Sequence, residues 1–212
     1  MKEGSSADAV PLKALIREEA ERGAVEVGET FELLDRRLER FADLFWKWNE
    51  RINLAALSNR EELVERHFID SFMASRLVPP GCRLVDVGSG GGLPALPLAS
   101  IRPDISIDCF EPKQKKCAFL RTAVRELALG DRVRVHSEAV HHPVPTSLAQ
   151  RADLAMSRAT LDPRVWLELG RALVRPEGGR VLVFTAGQSD ETLPEPAKAL
   201  AYGRNRRLLC YE

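Results

Sequence analysis

The sequence predicts an α/β fold: a mostly parallel sheet with helices on both faces, preceded by an N-terminal helical extension. Three observations carry that reading. From Cys82 onward, short apolar runs alternate with stretches of helical period, the pattern of parallel strands joined by crossover helices. The run Leu84–Val87 feeds straight into glycines at alternate positions, Gly88, Gly90 and Gly92, with the helix-compatible Leu93–Ile101 behind them. Pro79-Pro80-Gly81 is the sharpest break in the chain and sets this alternation apart from an all-helical start. Residues 1–80 are therefore assigned to the extension and 81–212 to the α/β domain.

Taken in order, residues 1–8 are polar and expected to fray. A first helix is expected from Ala9 to Arg22, ending near Gly23, with Gly23–Gly28 as a connector. The next helix carries Leu34, Leu38, Phe41, Phe45 and Trp48 at three- and four-residue spacing, with charged residues between them. Its aromatics read as a packed core stripe, and Asn49–Leu57 breaks the pattern. Ser58-Asn59-Arg60-Glu61 reads as a capping box opening a third helix, with Leu63, Val64, His67, Phe68 and Phe72 on its apolar face. Arg66 and Asp70, four apart, are placed to pair on its surface. Strands are expected at Arg83–Val87, Ser106–Glu111, Arg132–His136, Asp153–Ser157 and Arg180–Thr185. Helices fill 94–101, Lys113–Leu129 and Pro163–Val174, the last opened by a first-turn proline. Ser137–Ala152, with His141-His142-Pro143 and Pro145 in it, reads as a loop with little helix. Ala197–Tyr202 and Arg206–Tyr211 form a short terminal hairpin.

A chain of 212 residues, 44% hydrophobic and 29% charged, has enough apolar matter for one generous domain plus an extension. No apolar run approaches the roughly 20 residues of a membrane helix, and Met1–Val10 has no secretory h-region. Cys82, Cys109, Cys117 and Cys210 are scattered, so they read as buried free thiols in the cytoplasm, with neither a disulfide framework nor a metal site. Net charge is zero, but residues 1–75 carry 11 Lys+Arg against 16 Asp+Glu, and the remainder 20 against 15. The basic second half is compatible with a phosphate-bearing substrate; so small an imbalance also fits random scatter.

In an open parallel sheet the ligand lies outside the carboxyl ends of the strands, so each strand end is assigned a job. The spacing Asp86-x-Gly88-x-Gly90-x-Gly92 differs from the dinucleotide fingerprint and resembles the S-adenosylmethionine loop of Rossmann-like methyltransferases. Gly88, Gly90 and Gly92 are placed to face the methionine part and ribose of that cofactor. Asp86 either braces the turn or receives the cofactor's amino group. Glu111, ending the second strand, is suited to both ribose hydroxyls; the alternative is a solvated acid at a helix start. Ser137-Glu138-Ala139 is placed at the adenine edge, and Ser157-Arg158-Ala159 where the methyl acceptor sits.

Asn53-Leu54-Ala55-Ala56, Arg66-His67-Phe68-Ile69-Asp70-Ser71, the loop Asp86–Ala99, Lys115-Lys116 and Ser157-Arg158-Ala159 occur in a recognisable order. Together they resemble the glucose-inhibited division protein B family, the guanine-N7 methyltransferases of small-subunit 16S ribosomal RNA, over roughly residues 30 to 188. The resemblance implies a Rossmann-like class I S-adenosylmethionine-dependent methyltransferase that works on 16S ribosomal RNA or the small ribosomal subunit. By residue it implies Asp86, Gly88, Ser89, Gly90, Gly92, Leu93, Glu111, Glu138, Ala139 and Arg158 on the cofactor side. It implies His67, Asp70 and Arg158 as catalytic. Arg66 and the basic helix residues Lys115, Lys116, Arg121 and Arg125 fall on the RNA side. Without the resemblance, Arg66, His67 and Asp70 read as a helix-surface pair beside a satisfied histidine. The chain departs from the family's usual form at Leu93, at Ala95 and at Ala186, where a lysine is usual.

Guanine N7 presents an in-plane lone pair and needs no deprotonation, which suits a site without a base dyad; catalysis then rests on alignment and electrostatics. Competing readings are a methyltransferase of the same fold acting on another RNA or a small molecule, and a non-catalytic S-adenosylmethionine-binding module. Asn/Asp-Pro-Pro-aromatic is absent after the fourth strand, and no cysteine stands there. No metal is expected, no membrane, and a monomer is the default.

Overall fold

The computed structural model describes residues 31–186, 193–203 and 205–212. The expected helix at Ala9–Arg22 and the connector Gly23–Gly28 lie outside them. A seven-stranded sheet runs in the order β3-β2-β1-β4-β5-β7-β6. Its strands are β1 (Arg83–Val87), β2 (Ser106–Phe110), β3 (Val133–His136), β4 (Leu154–Ser157), β5 (Arg180–Ala186), β6 (Lys198–Tyr202) and β7 (Arg206–Tyr211). β1 to β5 are parallel; the hairpin β6–β7 adds antiparallel to β5. The order reverses between β1 and β4, the position at which open α/β sheets take their ligands.

The helices are α1 (Phe31–Ile52), α2 (Arg60–Leu63), α3 (Ile69–Ser75), α4 (Ala95–Ile101), α5 (Gln114–Glu126) and α6 (Pro163–Leu173). Side chains alternate across the strands. Leu84, Ile107, Met156 and Leu182 point into a core shared with α1, α3, α4 and α5. Val85, Phe110, Ala155 and Val183 point into a second core built with α6. The expected helices on both faces are thus present. No described helix is long and apolar enough to cross a membrane.

The α1 stripe is buried as expected. Phe41 and Phe45 are fully enclosed. Phe45 meets Phe119 of α5 edge-on at 5.9 Å and Trp48 lies 5.7 Å from the same ring, contacts worth about 1 kcal/mol each beyond their buried area. Arg40 reaches Glu126 of α5 at 2.6 Å, and Arg60 pairs with Asp43 at 2.7 Å and with Glu39. All four cysteines are free and buried.

Three local expectations are corrected. The α1 helix does not stop at Asn49; it continues to Ile52, and Asn53 turns the chain at φ +50°. Asn49 ends it from inside, because its Oδ1 accepts from the N–H groups of Leu54 and Ala55, at 2.6 and 2.9 Å. The capping box sits one residue later than expected. Asn59 Oδ1 accepts from Glu62 N at 2.9 Å, and the Glu62 carboxylate accepts from Ser58 N at 2.8 Å. Finally, Val64–Phe68 winds as a π-helical turn between α2 and α3. Its extra residue changes which side chains share a face. Arg66 pairs backwards with Glu62 at 3.4 Å, and Asp70 turns inward to 3% exposure, so the expected Arg66–Asp70 surface pair does not form.

Candidate active site

The glycine loop after β1 is held from below and from both sides. Gly88 N and Ser89 N donate to the Phe110 carbonyl at the end of β2, at 2.8 and 3.1 Å, and Gly92 N closes a turn on Ser89 O at 2.7 Å. Gly88, Gly90 and Gly92 all adopt positive φ, the conformation for which glycine is the least strained residue. A Cβ on Gly90 would meet no clash: its nearest atoms, Gly88 O and Lys116 Nζ, would stand at ordinary contact distance, 3.7 Å. The loop backbone is therefore open to a ligand at Gly90. Ser89 is buried, and its hydroxyl donates to the Asp86 carbonyl at 3.1 Å.

Two carboxylates flank this opening. Asp86 is 1% exposed and its Oδ2 has no hydrogen-bond partner. Burial raises its pKa to about 7, with the Glu111 charge adding and Ser89 and Arg158 opposing. Glu111 is 4% exposed, which removes the alternative of a solvated acid. Its Oε2 accepts from Gly90 N at 2.9 Å and its Oε1 from Lys113 N at 2.8 Å. Each oxygen keeps a second lone pair, so the carboxylate braces the loop and still has capacity for hydroxyl donors.

Across the switch point, β4 delivers the second half of the site. Ser157 Oγ donates to the Val87 carbonyl at 2.8 Å, tying the two strand ends together. Ala159 follows at φ +55°, an uncommon conformation for a residue with a Cβ. Thr160 Oγ1 reaches the Gly88 carbonyl at 3.4 Å. Between them Arg158 extends to α3, where its Nη1 donates to Asp70 Oδ2 at 2.6 Å. Asp70 Oδ1 accepts from the Tyr202 hydroxyl at 2.7 Å and from Arg206 Nη1 at 3.1 Å. Arg206 also donates to the Arg66 carbonyl at 2.7 Å. His67 lies beside this cluster with its Nδ1 buried and without a partner. Burial first, then Arg158, Arg206 and Arg66, lower its pKa to about 3, so it is a neutral imidazole at pH 7.

The remaining sequence-predicted residues fall around this centre. Leu93 is enclosed in the main core, and Ser71 Oγ on α3 donates to the Pro94 carbonyl at 2.9 Å. Glu138 and Ala139 are exposed beyond the end of β3. Lys115 and Lys116 at the start of α5 line an open cleft of about 590 Å³ with Ile52, Asn53, Lys113 and Gln114. Arg121 is spent on its own fold: it donates to Ser137 Oγ at 2.8 Å and towards Val135 O. Arg125 lies 3.6 Å from Glu126. Tyr202, Arg206 and Gly91 escaped the sequence reading. Tyr202 and Arg206 sit 132 and 136 positions from Asp70, with no local pattern to join them. Gly91 could have been found, since it sits between two loop glycines; a Cβ there would stand 2.6 Å from the Phe45 ring of α1.

The chain folds like a candidate S-adenosyl-L-methionine-dependent methyltransferase of Methanococcus maripaludis, with TM-score 0.52 and 14% identity over 71% of this chain and 88% of that one. That likeness concerns the fold. Sequence carries the rest. Ribosomal RNA small subunit methyltransferase G of Anaeromyxobacter dehalogenans is 38% identical over 190 residues, covering 89% of this chain and 86% of the relative. Its namesake in Geobacter sulfurreducens is 34% identical over 172 residues, covering 81% and 78%. The profile of the GidB family, described as rRNA small subunit methyltransferase G, matches residues 34–206, a span that takes in the glycine loop, the α3 carboxylate, the β4 arginine and β6. With both halves of the site inside that match, the chain belongs to the GidB family of rRNA small subunit methyltransferases G.

Proposed function

We propose that this protein transfers a methyl group from S-adenosyl-L-methionine to N7 of a guanine in 16S ribosomal RNA. The observation that carries the reading is the meeting, at one switch point, of an open glycine loop with an orphaned buried carboxylate and an arginine held by Asp70. The first half fits the cofactor: Asp86 Oδ2 suits its ammonium group, Glu111 its ribose hydroxyls, and Gly90 its close approach. When bound, its sulfonium supplies an electrophilic methyl group. Arg158, reaching over from β4, positions the acceptor by charge-assisted bonds to guanine O6 or a phosphate.

The chemistry of N7 agrees with the residues in place. Asp70 is held by three donors, two of them cationic, and the imidazole of His67, with its pKa near 3, is a very weak base. Neither is suited to deprotonate a substrate, and N7 asks for no deprotonation. The work left to the protein is alignment and exclusion of water. We place the enzyme in the cytoplasm as a monomer, with residues 1–80 as a helical extension to the methyltransferase domain 81–212. The four free buried thiols are consistent with a reducing compartment.

The test is transfer of labelled methyl from S-adenosyl-L-methionine to small subunits isolated without this modification, followed by nucleoside analysis. Label in 7-methylguanosine is expected. Label in another nucleoside, or transfer only to small molecules, overturns the proposal. Arg158→Ala should lower turnover about 100-fold, the scale of one lost charge-assisted bond in a dry site, and leave cofactor affinity within about threefold, as read by calorimetry. Equal loss of both would refute the acceptor-side role of Arg158.

A further inference from the structure

We infer that Tyr202 is a positioning residue for methyl transfer, acting through Asp70 to fix the orientation of Arg158; this rests on the methyltransferase reading above. Tyr202 ends β6, the edge strand of the sheet, yet its hydroxyl lies 2.7 Å from Asp70 Oδ1 on α3. Asp70 in turn gives Arg158 its only side-chain hydrogen bond among the described residues, at 2.6 Å, while Arg158 Nε is buried without a partner. The guanidinium of Arg158 is thus located by one carboxylate, and that carboxylate is shared. Arg206 competes for it at 3.1 Å, on the same oxygen that the phenol occupies.

Geometry explains why a hydroxyl is needed at this point. Two cations face one carboxylate. The Tyr202 hydroxyl, the shorter bond on Oδ1, keeps Arg206 to the longer one and leaves Oδ2 to Arg158. The ring holds Arg206 from the other side, with its guanidinium carbon 5.0 Å from the ring centroid. The phenol is half-buried against the main core, and burial together with the Asp70 charge raises its pKa, so it stays a donor. Without the hydroxyl, Asp70 is free to swing towards Arg206, and Arg158 loses its anchor. The terminal hairpin becomes part of the active site by this route, although it contributes no group that needs to touch the transferred methyl.

The experiment uses the full chain carrying Tyr202→Phe, alone and combined with Asp70→Asn. We expect kcat on undermethylated subunits to fall about tenfold, with the KM for cofactor and the melting temperature unchanged. In the Asp70→Asn background the same substitution should have no further effect, because the carboxylate through which it acts is gone. A second measurement does not depend on turnover. The Arg158 Nε–H resonance, assigned by its disappearance in Arg158→Lys, should be sharp in the ligand-free protein and broadened in Tyr202→Phe. An equal fall in kcat in both backgrounds, or an unchanged Arg158 resonance, overturns the inference. If the wild-type protein transfers no methyl to ribosomal RNA, the functional proposal fails, while the resonance still decides whether Tyr202 orders Arg158.

Discussion

Asp86, buried, and His67, partly buried, are ionisable groups whose electrostatic costs run in opposite directions with pH. The Asp86 carboxyl is raised to about 7 by its burial. A raised carboxyl binds its proton more tightly in the folded than in the unfolded chain. Its contribution therefore favours the fold below the unfolded value near 4 and is lost as pH climbs towards 7. His67 is lowered from 6.5 to about 3. Its contribution is complete above 6.5 and is lost as pH falls towards 3. The two windows overlap between about pH 4 and 6.5 and oppose each other there. Asp86→Asn should leave only the histidine's dependence, so that this variant, relative to wild type, loses stability as pH falls from 6.5 to about 4. His67→Gln should do the reverse and gain stability relative to wild type over the same interval. Urea unfolding midpoints across the interval check both; parallel curves for all three proteins would show that neither group titrates differently on folding.

The glycine loop and α1 divide the glycines between ligand and packing. A Cβ on Gly90 would stand at ordinary contact distance from its neighbours, while a Cβ on Gly91 would press on Phe45. Gly90→Val should leave a folded protein, strained by about 1–2 kcal/mol at its positive φ, that no longer binds cofactor in calorimetry. Gly91→Ala should cost about 1–3 kcal/mol by overpacking α1 against the loop, seen as a lower melting temperature. If instead Gly91→Ala melts like wild type, α1 is not seated on the loop as described. The same elements show what a sequence carries and what it hides. The five parallel strands and the loop were legible because short apolar runs and glycine spacing are local. The inward turn of Asp70 was hidden by the π turn at Val64–Phe68, which has no composition of its own and breaks the four-residue rule that joined Arg66 to Asp70. The capping box was displaced by one residue because Asn59 and Ser58 are both competent caps, and only the backbone decides between them. Tyr202 was invisible for a third reason: the bond it makes depends on how an antiparallel hairpin docks at the far end of a parallel sheet.

At the scale of the whole molecule, zero net charge means that attraction to RNA must come from where the charges lie. Some charges are held in internal pairs, Arg40 with Glu126 of α5 and Arg60 with Glu39 and Asp43. On α5 the basic residues are not equivalent. Lys115 is exposed, and Lys116 lines the same open cleft beside Gly90. Arg121 already donates to Ser137. A cation that meets a phosphate releases condensed counterions and steepens the salt dependence of binding, by about 0.7 to 0.9 in slope per contact. Lys115→Ala and Lys116→Ala should therefore each lower the slope of log K against log salt by about one, for binding to 16S ribosomal RNA or to the small subunit. Arg121→Ala should leave that slope unchanged and act, if at all, on stability. Titrations between about 50 and 200 mM salt read the three slopes. The opposite ranking, with Arg121 carrying the slope and the lysines none, would move the RNA path away from the cleft beside the glycine loop and onto the outer face of α5.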